Sequence, residues 1–188
     1  MAPILGIYAS QISGHLFAPS GSYDSIATVT VGSGGVGSIS FTSIPSTYTH
    51  LQIRGIGRSA TTNNAWRVRF NGDSGSNYSR HYSFGDGSGT QYLTAINQTS
   101  IGLGVFSTSS QSTGVFTSTA FDILDYRNTS KNSTLRAVTG FDNNGSGTVG
   151  WFSGAWFNTA AVTSLEIFVD SGNIAEYSSF ALYGIKGV

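Results

Sequence analysis

Apolar and polar positions alternate along most of the chain beyond residue 22. His50–Arg54 puts Leu51 and Ile53 on one face and His50, Gln52 and Arg54 on the other. Trp66, Val68 and Phe70 alternate with Arg67 and Arg69, and Ser38–Thr42 alternates strictly. Ser25–Val31 is rich in β-branched residues and stops at a glycine cluster. Further runs occupy 78–84, 92–95, 115–126, 135–141, 149–157, 164–169 and 179–185. Period-two alternation with β-branched and aromatic residues is the signature of half-buried strands. A sustained 3.6-residue apolar period is missing, so the pattern predicts little helix. Between the runs lie Gly32–Gly37, Asn71–Gly75, Gly85–Gly89, Asp142–Gly145 and Ser171–Asn173. Their Asn-Gly, Asp-Gly and Gly-Gly pairs supply the positive φ angles of tight hairpin turns. Residues 96–114 read either as a long loop or as a loosely patterned strand. The expected fold is all-β: a single antiparallel β-sandwich or jelly roll over 22–188, with an extended N-terminal arm over 1–21.

The arm, MAPILGIYASQISGHLFAPSG, begins apolar and turns abruptly small and polar. A secretory signal needs a basic start and an unbroken apolar stretch, whereas the first basic residue here is Arg54. Pro3, Gly6, Ser10 and Gly14 interrupt the run well short of a membrane span. Ala2 and the lack of cysteine leave no lipidation signal. The segment is therefore expected to dock on a partner through Ile4, Leu5, Ile7, Tyr8, Ile12, Leu16 and Phe17.

Composition sharpens this picture. Only 10% of the residues are charged, and nine basic residues balance nine acidic ones. The surface must be built largely of Ser, Thr, Asn and Gly. A near-neutral surface of this kind favours association and gives no electrostatic pull toward nucleic acid or anionic membrane. The 13% aromatic content argues for a packed core rather than disorder.

Motifs with catalytic echoes read better as turns. Gly32–Gly37 fits G-x-G-x-x-G, but a strand follows where a dinucleotide site needs a helix, so it reads as a hairpin loop. Gly72-Asp73-Ser74-Gly75 resembles the surroundings of a serine nucleophile without a suitably placed His, and also reads as a turn. Asp122 and Asp125 differ by an odd number of positions, so a regular strand sends them to opposite faces. Asp122 is expected to be exposed or paired with an arginine. Asp73 and Asp142–Gly145 echo calcium loops without the remaining ligands, and His15, His50 and His81 have no zinc-like spacing. Five Asn-x-Ser/Thr triplets are ordinary in so hydroxyl-rich a chain. No catalytic residue, cofactor or metal is expected.

The aromatic pairs Trp151-Phe152 and Trp156-Phe157 place neighbours on opposite sheet faces, so one member of each can lie outside the core. Exposed aromatics bury in protein interfaces or stack on sugar rings, and an interface is the favoured reading.

The phrases ILGIYASQISGHL, SYDSIATVTVGSGG, SISFTSIPSTYTHLQIRGI, RFNGDSGSNYSRHY, FDILDY and YSSFALYGIKG together resemble a family of small, uncharacterised virion structural proteins of tailed bacteriophages, many from aquatic hosts. The likeness spans essentially the whole chain. It implies a virion component without enzyme activity and offers no catalytic residues to carry over. The resulting expectation is a capsid decoration (cement) protein, self-associating and bound to other virion proteins, the major capsid protein foremost, through its arm. The alternative is a tail-fibre or baseplate adhesin, docked on a tail protein and reading host glycan.

Overall fold

A computed structural model describes residues 22–187; the predicted arm lies outside the described residues. Twelve strands form: β1 (Tyr23–Thr30), β2 (Ser38–Phe41), β3 (His50–Gly57), β4 (Ala65–Phe70), β5 (Tyr78–Gly85), β6 (Thr90–Gln98), β7 (Ile101–Val105), β8 (Thr117–Leu124), β9 (Ser133–Asp142), β10 (Gly147–Trp156), β11 (Leu165–Val169) and β12 (Ser179–Ile185). No helix occurs among the described residues. The strands make two antiparallel sheets, one ordered β1-β12-β3-β8-β9-β10-β5-β6 and the other β2-β11-β4-β7. The fold is an antiparallel β-sandwich, as the alternation predicts.

The core lies where the two apolar faces meet. The large sheet contributes Leu51, Ile53, Phe121, Leu135, Phe152, Trp156 and Phe180; the small one contributes Ile39, Trp66, Val68, Phe70, Ile101 and Ile167. Burying each such side chain stabilises the fold by about 1.5–3 kcal/mol before ordering costs. Trp66 stacks on Phe106 at 4.2 Å between ring centroids and donates its indole N–H to Ser59 Oγ at 2.8 Å. This satisfies the one polar atom that burial would otherwise strand.

Several expectations change. Gly32–Gly37 is not a hairpin loop, because β1 pairs with β12 and the glycines carry the chain across to β2 in the other sheet. Asn71–Gly75 and Ser171–Asn173 likewise cross between sheets; Gly85–Gly89 and Asp142–Gly145 do close hairpins. Positive φ thus serves sheet changes as well as hairpins. Residues 96–114 hold the end of β6, all of β7 and part of the loop into β8. Gly102 and Gly104 disguise β7: Ile101, Leu103 and Val105 keep period two, but glycine has low strand propensity.

Candidate functional site

Eight strands face four, and the outer face of the large sheet carries the exposed chemistry. Strand alternation puts every second residue of β10, β9, β8, β5 and β6 on that face. Register then aligns them in rows. One row runs Tyr92, Ser83, Trp151, Val138, Ala120, Arg54. The next runs Thr94, His81, Ser153, Arg136, Asp122, Gln52. Trp151 is 71% exposed and Tyr92 77%. Only Ser83 stands between them, so the two rings wall a trough two strand spacings wide, about 10 Å. These residues line a shallow depression of about 800 Å³. A second, of about 900 Å³, adjoins it across Ala120 and Val138 and reaches the Asp142–Gly147 turn.

Among the described residues Arg136 and Asp122 form the one ion pair of these two rows, and Arg54 is held by neutral partners. Arg136 donates from Nε to Asp122 at 3.0 Å, and Gln52 Nε2 donates to the other Asp122 oxygen at 2.7 Å. Arg54 donates in turn to Gln52 Oε1 at 2.7 Å, and its guanidinium lies 5.3 Å from the Tyr23 ring centroid. His81 Nε2 and Thr94 Oγ1 are 3.1 Å apart. Of the two readings for Asp122, pairing with an arginine is the one present. Asp125 leaves the strand altogether: it has φ 49° in the turn after β8 and pairs with Lys131. That ion pair and its hydrogen bond hold the Asp125 carboxyl below the usual range.

The two aromatic pairs split. Trp151 and Phe157 (57% exposed) face outward, whereas Phe152 and Trp156 are buried in the core. Tyr92 is not legible as a site residue in the sequence, because it stands near Trp151 only once β6 is paired with β5. Its place two residues before the polar Thr94, hence on the same face, is its one legible signal.

A second exposed feature is the edge of the sheet. Among the described residues β6 pairs on one side only. Thr90–Gln98 contains no charge and no proline, and Tyr92, Leu93 and Ile96 are exposed. Its one irregularity, an extra residue near Ile96 and Asn97, sits at the end leading to β7.

The catalytic echoes resolve into structure. The Asp73 carboxylate accepts from Gly75 N, Asn77 Nδ2 and Trp156 Nε1. His50 Nδ1 accepts from the Asp125 backbone N–H at 2.9 Å. Among the described residues no three His, Asp or Glu side chains gather where they could hold a metal. The seven apolar arm residues lie outside the described residues. No protein-family model matches the chain, and no curated protein does.

Proposed function

We propose that this chain is a non-enzymatic structural protein of a bacteriophage particle, a capsid decoration protein that associates with copies of itself. Residues 1–21 attach it to neighbouring virion proteins, the major capsid protein first, and its place is the assembled virion. The observation that carries the reading is the β6 edge, which pairs on one side only among the described residues. Soluble monomers guard such edges with charges, prolines or covering elements, because unpaired backbone groups recruit another strand. An uncharged edge bearing Tyr92, Leu93 and Ile96 is suited to assembly instead. The wiring supports the same reading: one sheet runs β2-β11-β4-β7, and the other holds β3-β8 and β5-β6 with β9–β10 between them, an order that fits a jelly roll. Jelly rolls recur in viral capsids and lectins, a fold-level analogy only. The bacteriophage assignment itself comes from the sequence phrases.

Particles answer the question directly. Hundreds of copies per virion are expected, and deleting residues 1–17 should leave a folded domain that no longer binds. Undiminished binding by the truncated protein would sink the arm's role. A few to a few dozen copies would place the protein in the tail.

A further inference from the structure

We infer that the outer face of the large sheet is a binding site for a neutral saccharide chain, held between Trp151 and Tyr92. The inference is independent of the attachment proposed above, since strand pairing at β6 runs in the plane of the sheet and leaves this face open.

The chemistry of the trough selects the ligand. A pyranose has one face of polarised C–H groups and a girdle of hydroxyls. Aromatic rings present a negative π face to such C–H groups. Trp151 and Tyr92 provide two rings about 10 Å apart across two strand spacings, comparable to the length of a disaccharide. The depression is lined mainly by apolar atoms, with Ser83 between the rings and Ser153, His81 and Thr94 in the adjoining row adding hydroxyl and imidazole partners, the make-up of a small-ligand site. Beyond Trp151, Asp122 is fixed by Gln52 and Arg136, while the Arg136 side chain itself stays 68% exposed and presents its Nη hydrogens. Because Arg136 and Asp122 neutralise one another, the site favours an uncharged ligand over an anionic one. Its neighbouring depression allows the chain to continue across Ala120 and Val138. All the named groups sit on paired strands, so the site is preorganised.

Trp151 is also its own reporter, since Trp66 and Trp156 are 0% and 1% exposed. An array of neutral glycans probed with the full chain and with Ser83→Trp, which fills the trough, identifies any ligand. Array-positive oligosaccharides are then titrated against acrylamide quenching of tryptophan fluorescence. Protection of Trp151 is expected, with affinity lowered at least about tenfold by Ser83→Trp or Trp151→Ala, the latter read by calorimetry, and unchanged by Phe157→Ala. Equal array signals for the full chain and Ser83→Trp, or no signal from either, would overturn the inference. So would protection of Trp151 by raised protein concentration alone, which would assign the face to a second copy.

Discussion

The Asp73 carboxylate takes hydrogen bonds from its own turn and one at 2.7 Å from the indole of Trp156, a buried side chain. It thereby fastens the β4–β5 crossing to the core. The Trp156 bond foremost, with those from Asn77 and Gly75, holds the Asp73 carboxyl below its usual range. Removing the acceptor strands a buried donor, so Asp73→Ala should cost about 1–3 kcal/mol in chemical denaturation. A depressed carboxyl contributes stability that is complete above its unfolded value, near 3.8, and is lost as pH falls through the folded one. Thermal stability should therefore hold steady from neutrality to about pH 5, drop below about pH 4, and drop less steeply in Asp73→Ala. An equal acid limb in the variant would remove Asp73 from the explanation. At this scale the sequence was half legible. Alternation identified Trp66 as inward and split each aromatic pair between faces, but which member faces the core depends on β10's partners. Nothing local links Asp73 to a tryptophan eighty-three positions away.

Strand existence was more legible than strand partnership. Period two marks a half-buried strand whatever lies beside it, so most runs fall on observed strands. Pairing is set by contacts between distant segments, and for that reason Gly32–Gly37 passed for a hairpin. Strand β7 was legible only as one of two readings of 96–114, because Gly102 and Gly104 weaken strand propensity although Ile101, Leu103 and Val105 keep period two, and packing supplies the reason for glycine nearby. Where β7 crosses β10, a Cβ on Gly154 would lie 2.4 Å from Ile101 Cγ2 and 2.9 Å from the Ser79 carbonyl oxygen. Gly154→Ala should therefore force the sheets apart locally and cost about 1–3 kcal/mol. In a chain of this size each kcal/mol lowers the melting temperature by about 2–4 °C. An unchanged melting temperature would show that Ile101 yields freely.

For the whole molecule, the β6 edge, paired on one side only among the described residues, predicts concentration-dependent association. Size-exclusion chromatography with light scattering should find oligomers of the full chain and mainly monomers of Ile96→Lys, whose charges would meet across a β6–β6 contact. Monomeric wild-type protein at tens of micromolar would refute the edge as an assembly surface. Sheet class was readable from composition and turns, whereas the eight-against-four division was not, because it records which strands found covers. That division also fixes how the domain bears load. Strand β1 lies at one edge of the large sheet and β6 at the other, seven spacings or about 34 Å away. Tyr23 pairs with Ile185, so a pull delivered through residue 22 meets the ladder at its end. Tension directed across the strands would peel β1 from β12 one hydrogen bond at a time, a soft mechanical fuse that gives way before the core.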